Sequence, residues 1–586
     1  MDKTSHPQEG VGFGLLLRLY CVTALLKALL VRAPYSTDLL VHLHWKSLTR
    51  RFPVSAWYTP ATGPPYLDYP TCFAYLEWFL GALAQLLRIP LDHENGSVRL
   101  STLIFMRITV IALDVFLFLG MRPWCAGPET AAAASFPSVV LDRLLWVVTH
   151  PALWLVDNIH FQYNGLVIGV ILYSLGVLFR ESVYAEMEKR RSQRGMWRAS
   201  AAFLVALGLK HTTALSIAPV VGLVLWKQRA WKNIYVVVSG FVWLLLMLGL
   251  PFGCVGWRAL WERLFPLDER GLFHAYWAPN AYALLAAADK VVARFCALVF
   301  SRLVERGLAK SPHGSDLLPM LHRSGRVSNS AGLVQTAGGG FYLLPEWTPM
   351  LATLCCVVAM TPSLLALHWA FQESARHGET QPASSDATAV DRLDQRRCME
   401  FLAKICAQVS LSLFLFGWHV HEKALILPVF LAGLGLGPRH PVAAALSTAC
   451  SLAMFPLVSS PGVRLVRLAL LFWHWLYFAP LQPWPPTRAW LLVYSYGGIG
   501  LMIGELLASW HGWQRLGLPF LPLMLQSVYS ALAVVFAWGY LSWQVWRSTR
   551  ADYMGCSPNA EAKHLLIAPS VQAGARPLLV RSSSKH

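Results

Sequence analysis

Charged residues are scarce in this chain. Only 14% of its 586 residues are Asp, Glu, Lys or Arg, whereas 55% are hydrophobic and apolar runs recur along the whole length. Apolar runs of this kind are typical of helices that cross a membrane. The composition therefore argues against a set of soluble domains and predicts a polytopic membrane protein.

Several chemical signatures are missing as well. The 11 cysteines include no Cys-x-x-Cys pair and no Cys/His spacing typical of a metal site. No internal repeat is visible, and the glycines at 338–340 lack the following lysine and the preceding strand of a phosphate loop. The formal charge of +18 comes from basic residues that lie mostly in short loops between apolar runs, where they orient helices. We therefore expect neither a metal nor a nucleic-acid partner.

The apolar runs predict an all-α fold with roughly 12 to 14 transmembrane helices. Two stretches, 73–89 and 284–302, could instead lie along the membrane surface, and 199–226 is broken in the middle by Lys210 and His211. The first run lacks a small-residue cleavage site and is expected to be a retained helix. The candidate spans are 11–31, 103–121, 140–157, 161–179, 234–251, 347–370, 401–417, 424–437, 441–458, 464–479, 489–508 and 518–543.

Charge in the loops predicts which polar segments share a side of the membrane. The connections 179–198 and 227–232 are the most basic short loops, so both should be cytoplasmic, and counting spans from them places His160 and 252–280 on the opposite side. The polar stretch 372–397 is also expected to be cytoplasmic, which places 418–423 on that opposite side as well. The side of Asp38 depends on whether 73–89 crosses the membrane. We favour an interfacial position for 73–89, because it is short for a span and carries Glu77, and this groups Asp38 with the other polar segments.

Two aspartates lie in the early polar stretch 35–70. Asp38 follows Ser36 and Thr37 and precedes His42 and His44. A carboxylate just beyond a span can act as a general base, but taken alone this pattern favours a helix cap formed by Ser36 or Asp38. Asp68 precedes Tyr69 in a proline-rich turn, where an ordinary turn aspartate and a functional role in positioning the loop are the two interpretations.

Three more segments concentrate polar side chains at predicted span ends. Residues 157–165 hold His160, Gln162, Tyr163 and Asn164, which is more polar character than membrane anchoring requires. Segment 418–423 reads WHVHEK; its two histidines face apart on a helix, so cationic binding of a phosphate suits it better than a metal, with interfacial anchoring as the alternative. The third segment, RLFPLDERGLFHAYWAPN at 263–280, includes Arg270, His274 and Asn280 and could simply mark the membrane edge.

Taken together, these segments resemble one enzyme family. YSTDLLVHLHW, SAWYTPATGPPYLDYP, HFQYNG, RLFPLDERGLFHAYWAPN and FGWHVHEKAL are similar to the endoplasmic-reticulum glucosyltransferases that use dolichyl-phosphate-glucose to build the lipid-linked precursor of N-glycans. HAYWAPN and SAGLVQ at 330–335 resemble the branch that adds the second glucose, in α1,3 linkage, to Glc1Man9GlcNAc2-PP-dolichol. The resemblance implies a GT-C glycosyltransferase fold with no metal or other cofactor, dolichyl-phosphate-glucose serving as co-substrate.

The resemblance also implies roles for individual residues. Asp38 corresponds to the catalytic base of an inverting displacement, and His419, His421 and Lys423, with Lys210 and Arg270 as further candidates, are expected to bind the donor phosphate. The other candidate substrate-site residues are Asp68, Tyr69, His160, Gln162, Tyr163, Asn164, His274 and Asn280.

The implied organisation is a single domain over 1–550 in the endoplasmic-reticulum membrane. It has luminal regions at 33–102 and 252–346, a luminal active site, cytoplasmic termini and a disordered tail at 551–586. Membrane lipids and the dolichyl-pyrophosphate oligosaccharide are the expected partners. Two alternatives stay open: addition of the first glucose to Man9GlcNAc2-PP-dolichol, and a secondary transporter, which would fit the span count and the broken segment at Lys210.

Overall fold

The computed structural model describes residues 13–93, 96–125, 138–184, 189–227, 253–266, 278–306, 347–377, 390–458, 460–478 and 521–553, with a few shorter pieces between them. The described part of the chain is almost entirely helical and contains no extended strand, as the apolar runs predict. The helices are α1 Phe13–Ala28, α2 Thr37–Arg51, α3 Thr71–Leu86, α4 Leu100–Leu113, α5 Val115–Cys125, α6 Ser138–Val148, α7 Asn164–Tyr184, α8 Lys189–Leu209, α9 His211–Leu215, α10 Ala218–Lys227, α11 Gly253–Leu264, α12 Ala281–Glu305, α13 Pro349–His377, α14 Val390–Phe416, α15 Ile426–Leu436, α16 Pro441–Ala453, α17 Arg464–Phe478 and α18 Leu521–Tyr553.

Six helical segments of the described chain are long and apolar enough to cross a membrane. Each coincides with a predicted span, which confirms a polytopic all-α protein. Helices α1, α15, α16 and α17 occupy four other predicted spans but are shorter, and 234–251 and 489–508 fall largely outside the described residues, so the total of 12 to 14 stays a prediction. The six segments are Leu100–Cys125, Val139–Phe161, Asn164–Glu181, Pro349–Gln372, Arg396–Phe416 and Leu521–Thr549.

Small residues allow the central helices to touch. Helix α7 packs against α5 and α8, and a Cβ on Gly169 would collide with the backbone of Phe116 and Leu117, just as one on Gly120 would collide with the backbone of Gly169. Backbones that approach this closely gain van der Waals contact that larger side chains would prevent. A second group forms around α14, which packs against α13, α15 and α18 and also contacts α7.

The break predicted within 199–226 is present. Helix α8 ends at Leu209, Lys210 adopts an extended conformation with φ −154° and ψ 90°, and α9 begins at His211. The extended residue turns the Lys210 side chain out of the helical direction and toward the start of α7, where its ammonium is hydrogen-bonded.

A serine cap fixes the start of α2. The hydroxyl oxygen of Ser36 accepts a hydrogen bond from the Asp38 amide at 3.1 Å, so Ser36 is the N-cap. The same hydroxyl donates to the backbone carbonyl of His160. Of the two residues that the sequence offered as caps, Ser36 takes the role, and the Asp38 carboxylate is left for other contacts.

Arg107 fastens the loop before α2 to the helical segment that precedes α7. Its buried Nη2 donates to the carbonyls of Ala33 at 3.2 Å, Pro34 at 3.1 Å and Ile159 at 2.9 Å. Ile159 lies in the π-helical turn Trp154–Phe161, at the end of the span Val139–Phe161. One guanidinium thus brings two distant polar segments of the sequence together.

A buried ion cluster joins α3 to α2. The Lys46 ammonium lies 2.6 Å from one oxygen of Glu77, and His42 Nδ1 lies 2.7 Å from the other. Lys46 also donates to the hydroxyl of Tyr163 at 3.1 Å, and that hydroxyl lies 2.9 Å from the Thr109 hydroxyl. Burial by itself would raise the pKa of Glu77, but Lys46 and His42 hold it below its usual range. The charge of Glu77 therefore marks an internal contact, whereas we read it in the sequence as a sign of an interfacial helix; the interfacial position of 73–89 itself stays a prediction.

Candidate active site

One cavity of about 650 Å³ collects the polar segments named above. It lies between the start of α2, the turn before α3, the break after α8, the end of α11 and the segment that joins α14 to α15. Asp38, Asp68, Lys210, His419 and Lys423 all line it. Asp38 and the other polar segments thus line one cavity, whereas the side of the membrane that they share stays a prediction.

Asp38 is held by three donors that converge on one of its oxygens. Gln162 Nε2 lies 2.5 Å, His160 Nε2 3.1 Å and Lys423 Nζ 3.3 Å from Asp38 Oδ2. Burial would raise the pKa of Asp38, but the Lys423 ammonium and the His160 and Gln162 hydrogen bonds hold it well below its usual range. The carboxylate is therefore ionised, and its side chain is still 27% exposed at the cavity wall.

A chain of amides orients Gln162. Its Oε1 accepts from Asn164 Nδ2 at 3.2 Å and from Lys210 Nζ at 3.4 Å, which turns its NH2 group toward Asp38. Asn164 in turn accepts from Lys210 at 2.8 Å and donates to Asp157 at 2.8 Å. The predicted residues Gln162, Asn164 and Lys210 thus form a single network behind Asp38.

Lys210 is a cation of unusual acidity. Burial, reinforced by the nearby charge of Lys423, lowers the pKa of Lys210 to about 7, although the carboxylates of Asp157, Asp38 and Asp68 partly oppose this shift. Its ammonium also lies 5.4 Å from the centre of the Tyr69 ring, which lines the cavity. An anion that entered the cavity would favour the protonated form.

His160 positions the Asp38 carboxylate and does not contact the cavity. Its Nδ1 faces the carbonyl of Leu457 at 3.2 Å while Nε2 faces Asp38, so both ring nitrogens are engaged. The sequence placed His160 among the substrate-site candidates, but in the structure it touches the carboxylate and does not line the cavity.

The segment WHVHEK presents its basic side chains to the cavity. His419 has a left-handed backbone with φ 52°, and its Nδ1 donates to the Gly271 carbonyl at 2.7 Å. The rings of His419 and His421 lie 5.6 Å apart, and both line the cavity together with Lys423. Within the residues the structure describes, no group of three or more His, Cys, Asp and Glu side chains could hold a metal ion.

Several predicted residues lie elsewhere. Tyr163 belongs to the buried ion cluster, and Asn280 accepts from the Ala283 amide at 3.1 Å as the cap of α12; neither lines the cavity. Arg270 and His274 fall outside the described residues. Asp68 and Tyr69 do line the cavity, and burial together with the Asp68 charge raises the pKa of Tyr69.

The cavity also contains residues that we did not predict as site residues. The Arg263 guanidinium lies 3.8 Å from the centre of the Tyr66 ring, and both residues line the cavity. His211 Nε2 donates to the Leu264 carbonyl at 3.1 Å, and burial lowers the pKa of His211 to about 4. The ring is therefore neutral and holds the end of α11 through this hydrogen bond. Arg263 belongs to the polar segment 263–280 that the sequence singled out, although it was not assigned to the site, and Tyr66 stands inside a motif quoted above. Other lining residues, such as Ser410, lie within apolar runs that give no signal.

A polytopic membrane fold with an ionised carboxylate and several basic side chains around one cavity suits a membrane-bound group-transfer enzyme. Residues 23–541 match the model of the "ALG6, ALG8 glycosyltransferase family", and the chain belongs to this family. A Drosophila melanogaster relative is 33% identical over 537 residues, covering 88% of this chain and 91% of its own; it is named probable dolichyl pyrophosphate Glc1Man9GlcNAc2 alpha-1,3-glucosyltransferase. Relatives from Bos taurus and Mus musculus, which carry that name without "probable", are each 30% identical, covering 88% of this chain and 92% of their own.

Proposed function

We propose that this chain transfers glucose from dolichyl-phosphate-glucose, in α1,3 linkage, to Glc1Man9GlcNAc2-PP-dolichol. The observation that carries the proposal is the ionised Asp38 at the wall of a cavity that also presents Lys423, His419 and His421. The printed names of the relatives support this acceptor. They give no support to a transporter, and they favour the second glucosylation over the first.

The chemical step is an inverting displacement. The acceptor hydroxyl attacks the anomeric carbon of the donor glucose, the bond to the phosphate oxygen breaks with its electron pair, and the hydroxyl proton passes to Asp38. Dolichyl phosphate is a good leaving group at neutral pH, so one carboxylate suffices and no acid is needed to protonate a poor leaving oxygen. The paired carboxylates of glycoside hydrolysis are therefore not required here.

Cationic side chains stabilise the departing phosphate in this proposal. Lys423, His419 and His421 lie on one segment at the cavity wall, and Lys210 lies near Lys423. Positive groups placed where negative charge develops lower the barrier of the step. We propose that these side chains provide the positive charge and that no metal or other cofactor takes part; turnover that persists in EDTA is the expected result.

The acceptor assay tests the assignment directly. The full-length chain, purified in detergent, is given dolichyl-phosphate-glucose and either Man9GlcNAc2-PP-dolichol or its monoglucosylated form. We expect turnover on the monoglucosylated lipid and little on the glucose-free lipid. Turnover on the glucose-free lipid alone would replace the proposal by the first glucosylation.

The cellular setting is proposed along with the reaction. We place the protein in the endoplasmic-reticulum membrane with the cavity facing the lumen and both termini in the cytoplasm. The basic residues at 179–198, where α7 ends and α8 begins, support this orientation, since the cavity lies at the opposite ends of these two helices. Glycosylation tags inserted at each terminus should stay unmodified, whereas a modified terminus would reverse the orientation.

A further inference from the structure

Lys423 contacts the proposed base and also faces the cavity. It stands on the WHVHEK segment that we assign to the donor phosphate, yet its ammonium lies 3.3 Å from Asp38 Oδ2. Its side chain is 15% exposed and lines the cavity, so a ligand in the cavity can reach it. Lys210 is not equivalent, because its ammonium donates to the amide oxygens of Gln162 and Asn164.

The two oxygens of Asp38 are not equivalent either. Gln162, His160 and Lys423 all contact Oδ2, and no residue in the described part of the chain donates to Oδ1. Two of these contacts come from residues that have further anchors, Gln162 through Asn164 and His160 through Leu457. Lys423 makes no second hydrogen bond among the described residues. Of the three donors it can therefore move away from Asp38 with the smallest loss of other interactions.

We propose that Lys423 serves two anions in turn: it pairs with Asp38 while the cavity is empty and moves to the donor phosphate when that lipid binds, which frees the Asp38 carboxylate to accept the hydroxyl proton at Oδ1. This inference rests on the proposed function and extends it by linking donor binding to activation of the base.

The charges of the reaction favour such a shared cation. Before transfer, Asp38 and the phosphodiester each carry one negative charge. When the acceptor O–H bond breaks, its proton goes to Asp38 Oδ1 and neutralises the carboxylate; when the bond from the anomeric carbon to the phosphate breaks, the electron pair stays on the phosphate, which becomes a monoester with a second negative charge. Negative charge thus moves from Asp38 to the phosphate, and an ammonium beside both is better placed at the phosphate as the step proceeds.

The contact between Lys423 and Asp38 in the empty cavity weakens Asp38 as a base. A base works best when its proton affinity is close to the operating pH, and the three donors on Oδ2 make Asp38 a weaker base than that. Removal of the one ammonium raises the proton affinity of the carboxylate while Gln162 and His160 keep it in place. The donor phosphate would therefore activate the base before the acceptor hydroxyl is attacked.

Binding of the acceptor provides the test, because a freed Asp38 also accepts a stronger hydrogen bond from the acceptor hydroxyl. The affinity of the full-length protein for a short-chain Glc1Man9GlcNAc2-pyrophosphate lipid is measured with and without saturating short-chain dolichyl phosphate. We expect the phosphate to tighten acceptor binding about fivefold or more in the wild type. In Lys423→Gln the phosphate should have no effect, and the acceptor affinity without phosphate should match that of the phosphate-saturated wild type.

A matched variant on the same segment separates the shared cation from simple phosphate binding. His421→Gln should require more phosphate for saturation but retain the fivefold tightening. Lys423→Arg, which keeps the charge, serves if the Gln variant does not fold, and should retain part of the tightening. Equal acceptor affinities with and without phosphate in the wild type would overturn the inference. That result would leave the proposed function standing, since glucose transfer and acceptor choice are measured separately.

Discussion

Gln162 Nε2 and Asp38 Oδ2 lie 2.5 Å apart although 124 residues separate them in the chain. The contact joins the start of α2 to the start of α7, and it depends on the Gln162 amide being oriented by Asn164 and Lys210. Because the Gln162 amide is neutral, it orients the Asp38 carboxylate without cancelling its negative charge. The same contact shows that the polar turn before α7 supports Asp38 rather than forming a separate binding surface.

Replacing Asp38 by Asn should remove the base without disturbing the fold. Asn has the same shape and can still accept from Gln162, so donor binding should remain while turnover falls by about 10²- to 10⁴-fold. Glucose transfer and donor affinity are measured on the same purified sample. Asp92→Asn, at an exposed position outside the cavity, is the control and should retain full activity. Retained turnover in Asp38→Asn would remove this residue from the role of base.

Replacing Gln162 by Glu should damage the site through like charge. A second carboxylate 2.5 Å from Asp38 Oδ2 would raise the pKa of one of the two and share its proton. We expect at least a tenfold loss of turnover at pH 7. Gln162→Met, which removes the hydrogen bond without adding charge, should lose less. If the two variants lose the same activity, the loss comes from the missing hydrogen bond and not from the added charge.

Lys210 should make donor binding depend on pH. Its pKa of about 7 means that the ammonium is mostly neutral at pH 8 and mostly charged at pH 6. The donor phosphodiester keeps one negative charge across this range, so its affinity should increase as the pH falls through 7, by about tenfold at most. Titration of the donor at several pH values measures this change. Lys210→Met should bind the donor more weakly, and its affinity should change less with pH than that of the wild type. A wild-type affinity that falls toward pH 6 would contradict the assignment.

The buried pair of Lys46 and Glu77 should be intolerant of single changes. Glu77→Gln leaves the Lys46 ammonium without its carboxylate, and loss of one partner of a buried pair typically costs about 3–5 kcal/mol. Thermal unfolding in detergent should show a lower midpoint for Glu77→Gln. The double variant Lys46→Met with Glu77→Leu should recover most of the loss, since no charge is then buried alone. A single variant as stable as the wild type would show that water reaches the pair.

Gly169 should be sensitive to one added methyl group. A Cβ there would meet the backbone of Phe116 and Leu117, which cannot move aside as a flexible side chain would. We expect Gly169→Ala to lower stability by about 1–3 kcal/mol through overpacking. Gly222→Ala in α10 is the control, because nothing lies within 4 Å of its added Cβ and Ala favours the helix. Equal unfolding temperatures for the two variants would argue against a close α5–α7 contact.

Much of the architecture is readable from local sequence. Apolar runs indicate helices because each run buries its own backbone hydrogen bonds, so six predicted spans reappear as long apolar helices. The break at Lys210 is also local, since a lysine and a histidine interrupt an apolar run. The pairing of Glu77 could not be predicted in this way. Its partner Lys46 lies on another helix, and no residue near Glu77 in the sequence indicates the contact.

The sequence by itself determined that this is a membrane protein of many helices, that its polar chemistry lies at helix ends, and that Asp38 is a candidate base. Only the tertiary structure decided that Ser36 rather than Asp38 caps α2, that the donors converge on Asp38 Oδ2, and that Lys423, 385 residues away, contacts the carboxylate. The physical reason is the distance along the chain between the residues that interact. Helix formation and capping depend on residues a few positions apart, whereas the charge and orientation of a carboxylate depend on whichever side chains packing brings within about 3 Å.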